Sequence, residues 1–341
     1  MPKRRLFDDD DDDDDEDYVE EKKEEKKLDK KPVPNKKPKL KLENCPPVSS
    51  IKDLIAVGKQ NKFFKNINSI MLWDILPYLE ELDNMIGMKS LKESMFYQII
   101  YYLQNMHRKN HNEEYLHTVI MGSPGCGKTT VAKIIGKIYV KMGVLSRNAP
   151  FKMAHREDFV GQYLGETAVK TKKLLTSCIG GVIFIDEAYS LGPGVKDRDS
   201  FSKEALDTLC SFLSEHKNDF CCIIAGYEEE IKKCFFSVNP GLERRFPWTH
   251  VIDEYNNEDL TKIFRKFLKD INWELHKDLN DEYFNLFFEI NKDLFLNLGG
   301  DIETFISKCK MIHSKRVISL DKEHRFIFKK DDIETTLEMF K

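Results

Sequence analysis

The stretch Gly122-Ser123-Pro124-Gly125-Cys126-Gly127-Lys128-Thr129 fits the phosphate-cradling pattern G-x-x-x-x-G-K-[ST] at every specified position. The residues on either side supply the setting such a loop needs. His117 to Met121 before it reads as a buried strand, and Thr130 to Met142 after it reads as a helix. Glycines let backbone N–H groups turn inward onto phosphate oxygens, and the following helix aims its positive end at them. In that setting Lys128 neutralises the outer phosphates and the Thr129 hydroxyl helps hold Mg²⁺. Gly122, Pro124, Gly125, Cys126, Gly127 and Thr130 complete the nucleotide loop, with Cys126 read as a small filler.

Gly180-Gly181-Val182-Ile183-Phe184-Ile185-Asp186-Glu187 is the second strong signal. Four apolar residues form a buried strand that ends in two carboxylates. Ligands of an open parallel sheet sit beyond the carboxyl ends of its strands, which puts Asp186 beside the phosphate loop. Asp186 is then a ligand of Mg²⁺, directly or through water, and Glu187 polarises the attacking water. Together the two motifs point to ATP hydrolysis.

The third signal is Asn239-Pro240-Gly241-Leu242-Glu243-Arg244-Arg245-Phe246. A turn leads into two arginines on a short exposed segment. Following the fourth strand, this is where an oligomeric ATPase presents an arginine to its neighbour's γ-phosphate. The always-charged planar guanidinium suits that role. Arg245 is the first choice and Arg244 the second.

Working outward, strands are expected at 118–122, 151–154, 181–186, 220–226 and 248–252, with helices between them. That alternation implies a three-layer α/β sandwich with a parallel sheet over residues 81–254. Residues 44–80 should form short helices in which Trp73, Ile75 and Leu76 pack on the main domain, and Glu81 to His107 reads as one long helix entered through the Ile86-Gly87 turn. Residues 255–341 read as a small α-helical lid whose one strand signal is Phe326-Ile327-Phe328. Residues 1–43 are low-complexity, with an acidic run from Asp8 to Asp17 and a Pro/Lys stretch from Lys30 to Lys41. They hold too little apolar surface to offset their ordering entropy and are expected to be disordered. The Pro/Lys stretch fits a nuclear-import signal or a contact for an anionic partner; a solvated tail is the simpler reading.

Composition narrows the classes. A hydrophobic fraction of 41% and 23 Phe residues are enough for a substantial core. The net charge of −4 lies mostly in the tail, so the body lacks the basic footprint of most nucleic-acid binders. Eight cysteines without a C-x-x-C pair argue against zinc and for a reducing compartment. His107 and His111 lack further ligands nearby and read as surface residues. With no membrane-length apolar run and no signal-peptide core, a soluble intracellular protein is expected.

In order and spacing these blocks resemble the AAA+ ATPases, and most closely the branch of red-type Rubisco activases and stage V sporulation ATPases. The resemblance spans roughly residues 80–255. It includes Asp158 to Ala168, Gly180 to Tyr189, Ala225-Gly226-Tyr227, Asn239 to Leu242 and the segment Leu82 to Lys92. It implies ATP and Mg²⁺ as cofactors, Ile86 and Gly87 packing on adenine, and a homo-oligomeric ring, as a hexamer, that threads a protein substrate. Tyr163-Leu164-Gly165 falls at the aromatic pore loop of such rings, so Tyr163 would grip the substrate. Two departures stand out. Tyr227 follows the fourth strand where many AAA+ proteins have a water-positioning Asn. The lid carries Leu298-Gly299-Gly300-Asp301-Ile302-Glu303 where the activase branch has a γ-phosphate-sensing arginine, which leaves Lys308 and Lys310 as the nearest cations. A nucleic-acid translocase and a nucleotide-switched scaffold are the competing readings. The near-neutral body counts against the first, and intact Glu187 and Arg245 against the second.

Overall fold

Strands whose residues are apolar on both faces belong inside a sheet covered on both sides. β1 (Thr118–Met121), β3 (Val182–Ile185) and β4 (Cys221–Gly226) are of this kind, and every residue in them is buried. With β2 (Phe151–Ala154) and β5 (Trp248–Val251) at the edges they form one sheet in the order β2-β3-β4-β1-β5, parallel throughout. Alternate residues feed two cores. Ile120, Phe184 and Ile223 enter one, while Met121, Ile183 and Ile224 enter the other. All five strands lie where the sequence placed them, within a residue or two.

The computed structural model describes residues 42–108, 115–145, 150–163, 165–193, 199–217, 219–321 and 324–340. The expected disordered tail, apart from Leu42 and Glu43, lies outside the described residues, as do His111 and the pore-loop residue Leu164. Glu43 is already part of the fold, since it bridges to Phe64 and accepts a hydrogen bond from the Lys65 N–H at 2.9 Å.

One face of the sheet carries α1 (Ile51–Lys59), α2 (Ser69–Asp83), α3 (Lys89–Leu103) and α4 (Lys128–Lys141). The side chains of Ser50 and Asn68 cap the first two of these helices by accepting from the Asp53 and Met71 N–H groups. The other face carries the single turn α5 (Arg156–Phe159), α6 (Glu166–Thr176) and α7 (Ser200–Glu215). Short turns α8 (Glu228–Glu230) and α9 (Pro240–Glu243) join β4 to β5. Ile75 is fully buried in the first core, and Leu76 packs at its margin as expected. Trp73 instead meets Phe63 edge-on.

The long helix expected from Glu81 to His107 is two helices. The first ends at Asp83, and Gly87 and Met88, both in the left-handed backbone with φ of +66° and +55°, turn the chain into the second at Lys89. A side chain at position 87 would also strike the Tyr255 ring. The Lys92 ammonium then satisfies the exposed end of α2 by donating to the Asp83 carbonyl at 2.9 Å and the Met85 carbonyl at 2.5 Å. His107 is half-buried with its ring 4.8 Å from that of Tyr102, so it is a packing residue and not merely a surface one.

The lid comprises α10 (Asn257–Asp270), α11 (Asp281–Ile290), α12 (Gly299–Val317) and α13 (Lys330–Phe340) around Phe264, Phe284, Phe288 and Phe305. The strand signal near Phe326 is a two-residue strand, β7 (Ile327–Phe328), paired with β6 (Glu274–Leu275). Among the described residues no helix is long and apolar enough to cross a membrane.

Candidate functional site

The sheet order brings the carboxyl ends of β1, β4 and β3 side by side, so the loop after β1 and the carboxylates after β3 share one rim. Gly125 and Gly127 take φ of +67° and +90°, which turns the loop sharply into α4. Lys128, the first residue of that helix, folds its ammonium onto the Gly122 and Ser123 carbonyls at 3.0 and 2.8 Å. It also lies 5.0 Å from the Tyr227 ring centroid.

Thr129 Oγ1 donates to Asp186 Oδ2 at 2.7 Å, across 57 residues of chain. Asp186 Oδ1 accepts the backbone N–H of Glu187 at 3.0 Å, and Glu187 itself sits in the left-handed region at φ +49°. A non-glycine residue held there is strained, a cost commonly concentrated at functional sites. The Glu187 residue is exposed beside Asp186. Tyr189 stacks on Tyr227 with centroids 5.5 Å apart. Burial first, and then the charge of Glu187, hold the Tyr189 phenol above its ordinary range, so it remains a hydroxyl donor.

These groups border a cavity of about 580 Å³, a size typical of small-molecule sites. Its walls include Pro124, Gly125, Gly127 to Thr130, Asp186, Glu187 and Tyr227 from the large domain. Phe267, Gly299, Gly300 and Glu303 come from the lid. A hydroxyl and a carboxylate converging on one point are the oxygen donors that Mg²⁺ accepts, and Mg²⁺ commonly takes only one or two protein carboxylates with phosphate and water completing its shell. Thr129 and Asp186 are the residues that would hold such an ion.

Not every expected residue faces this cavity. Gly122 and Cys126 lie behind the loop, and Cys126 is buried with its sulfur against Gly122. Burial pushes its thiol pKa up, against the opposing pull of Lys128, which fits an inert filler. Ile86 and Gly87 line a second cavity of about 590 Å³ that shares no lining residue with the first. Arg244 and Arg245 border neither. Arg245 donates through Nε to Ser214 Oγ and through Nη1 to the Gly241 carbonyl, both at 2.5 Å. Arg244 is exposed, and its side chain makes no hydrogen bond or ion pair among the described residues.

Tyr163 is 69% exposed. Its loop is held from below, since the Gln162 and Tyr163 N–H groups both donate to Glu166 at 3.2 Å and the Gly161 N–H donates to Thr167 at 3.0 Å. Gly165, at φ +87°, starts α6 directly after it. In the lid, Lys308 lies over Phe340 and Lys310 over Trp273, so neither replaces the absent arginine; Glu303 borders the cavity instead. Phe267 received no role from the sequence because the topology alone brings it here, and Tyr189 and Glu303 received none although they stand in the blocks quoted above. Tyr227 stood in a visible block without an assigned role.

The model of the ATPase family associated with various cellular activities (AAA) matches residues 118–247. A cfxQ-like protein of Acanthamoeba polyphaga mimivirus is 40% identical over 280 residues, covering 80% of this chain and 67% of that one. Stage V sporulation protein K of Bacillus subtilis is 36% identical, covering 60% and 64%. A chloroplastic ribulose bisphosphate carboxylase/oxygenase activase of Cyanidioschyzon merolae is 35% identical, covering 60% and 67%. The chain thus spans about two thirds of the length of these relatives. Among solved structures, the FIGL-1 AAA domain in complex with ADP superposes with a TM-score of 0.55 at 16% identity, over 76% of this chain and 83% of that one. The chain belongs to the AAA family of ATPases, in the branch that includes stage V sporulation protein K and the Rubisco activases of this type.

Proposed function

We propose that this chain is a Mg²⁺-dependent ATPase that assembles as a ring, hexameric by analogy with its family, and uses hydrolysis to remodel or thread a protein substrate through its pore. The observation that carries the proposal is the Thr129–Asp186 pair at 2.7 Å, with Glu187 beside it on the rim of the phosphate-loop cavity. When bound, Mg²⁺ supplies charge neutralisation at the β- and γ-phosphates. Lys128 leaves its resting carbonyl partners for the phosphates, and the Gly125 to Lys128 backbone cradles them. Glu187 accepts a hydrogen bond from the attacking water and draws off its proton.

Arg244 is the guanidinium left free to serve a neighbouring subunit's γ-phosphate, while Arg245 braces the segment that carries it. This reverses the order of preference drawn from the sequence. The exposed Tyr163 on its anchored loop supplies the grip on the substrate. Relatives that act in sporulation and on Rubisco support a protein client. The deciding experiment is ATP hydrolysis by the full chain with unfolded polypeptide, Rubisco or single-stranded DNA as separate stimulants. Stimulation by a protein supports the proposal, whereas a response confined to DNA overturns it.

A further inference from the structure

We propose that the lid reads the backbone of the phosphate loop directly, through Tyr255 and the Asn297–Gly300 turn, in place of a charged lid side chain on the nucleotide. The inference rests on the nucleotide-site reading above and deepens it. Tyr255 lies in the link between β5 and α10, and its hydroxyl donates to the Cys126 carbonyl at 2.8 Å. Because a peptide unit is planar and trans, its carbonyl and the next N–H point in opposite directions. Fixing the Cys126 carbonyl therefore fixes the direction of the Gly127 N–H, a donor of the phosphate cradle. A phosphate oxygen on that N–H would polarise the same peptide and strengthen its bond to Tyr255.

Tyr255 is also placed to pass that change on. Its ring packs against both the large-domain core and the lid core, a position shared with Leu298. On its other side it abuts Gly87, where a Cβ would fall 2.7 Å from the ring. The second contact is backbone on backbone. A Cβ on Gly125 would overlap the Asn297 carbonyl, and one on Gly299 would lie 2.9 Å from the Gly125 carbonyl. Asp301 holds this turn by accepting from the Asn297 N–H at 2.7 Å and from its amide at 3.2 Å. Leu298 within it is forced to φ +50° and ψ −114°. The charged side chain that the lid does send to the cavity is Glu303, whose charge opposes phosphate.

Two variants of the full chain test this. Tyr255→Phe keeps the ring and removes the hydroxyl. Gly299→Ala adds one methyl between lid and loop at a position whose backbone accepts any residue. Each is compared with the parent for affinity toward a fluorescent ADP and for ADP-induced hydrogen-exchange protection of residues 257–270. Tyr255→Phe should weaken ADP binding roughly three- to tenfold, the worth of one neutral hydrogen bond. Both variants should lose most of the ADP-induced protection while keeping the parental exchange pattern without nucleotide. Parental affinity and protection in both variants would overturn the proposal alone. Failure of the parent to bind ADP would overturn the nucleotide-site reading, and the proposal with it.

Discussion

Arg245 and Ser214 are joined by a 2.5 Å hydrogen bond that ties the segment after α9 to the end of α7, and on this bond rests the proposed division of roles between two adjacent arginines. The same guanidinium wraps Gly241 so closely that a Cβ there would come 2.9 Å from Nη1. A side chain engaged at two points serves its own fold. Arg244→Ala should therefore lower hydrolysis by about 10³-fold or more, in the range for a transition-state arginine, with nucleotide affinity and melting temperature unchanged. Arg245→Ala should instead lower stability by about 1–2 kcal/mol. Thermal unfolding together with single-turnover hydrolysis distinguishes the two, and equal losses of hydrolysis with no loss of stability would refute the division.

The strained Glu187 yields a second prediction. Glu187→Gln keeps the side chain's shape and removes its basicity, so hydrolysis should fall by roughly 10²–10⁴-fold while ATP stays bound. Lys128→Ala removes the cation that the loop directs at the phosphates, and nucleotide binding itself should disappear. A nucleotide-retention assay checks both. Parental turnover in Glu187→Gln would remove it from the mechanism.

Tyr163 is expected to separate fuel use from work. Its exposed ring makes no contribution to the cavity, and Glu166 satisfies its N–H whatever the side chain. Tyr163→Ala should keep basal hydrolysis within about twofold, as for surface changes away from structural features. Stimulation by unfolded polypeptide should be lost. Undiminished stimulation would assign the grip elsewhere.

The parts of this site that the sequence displays are those whose chemistry is local. Glycines at 125 and 127 permit the turn, and four apolar residues from Val182 deliver Asp186 to its end. Each fact lies within its own run of eight residues, 122–129 and 180–187, so no knowledge of the fold was needed. Tyr255 is different, since its partner Cys126 lies 129 residues away and nothing beside it marks a contact. The break ahead of Gly87-Met88 was hidden for another reason. The Ile86-Gly87 turn is visible, but apolar spacing runs on through Leu82, Met85 and Ile86, so the end of α2 at Asp83 is not. The environments of the two arginines were not legible either, because the partner that engages Arg245, Ser214, lies 31 residues away.

Two buried histidines make the large domain sensitive to acid. His250 on β5 is 2% exposed and its ring nitrogens have no hydrogen-bond partner among the described residues; burial lowers its pKa to about 4. His117, just before β1, is fully buried. Its Nδ1 accepts the Cys222 N–H at 3.2 Å, and burial above all lowers its pKa to about 3. Unfolding releases both to about 6.5, so between pH 6.5 and 4 the unfolded chain binds more protons and stability falls as pH falls. Each histidine should withdraw about 3 kcal/mol by pH 4, a large share of a typical domain's total. Denaturant melts from pH 7.5 to 4.5 should show this slope, and His250→Leu should flatten part of it. An unchanged slope in that variant would exclude His250 as a source.

The lid has its own charged clasp at Asp332, near the start of α13. This carboxylate is 1% exposed and receives two hydrogen bonds from Arg316 at 2.8 Å, one from the Lys329 N–H at 2.8 Å, and a contact to His313 at 3.1 Å. Burial alone would raise its pKa, but Arg316, the Lys329 N–H and His313 outweigh it and hold the group below its ordinary carboxylate value. Its stabilisation is therefore complete above the ordinary carboxylate range and lost only as pH falls through the lower folded value, beneath the window of the two histidines. Asp332→Ala removes every one of these bonds and leaves Arg316 without its carboxylate, at a cost of about 3 kcal/mol. Because the lid has a core separate from the sheet, that loss should appear first as proteolysis within residues 299–340, with the phosphate-loop domain still folded. Loss of the whole fold in one transition would instead show that lid and large domain unfold as a single unit, the behaviour that tight contact between Tyr255 and the phosphate loop would enforce.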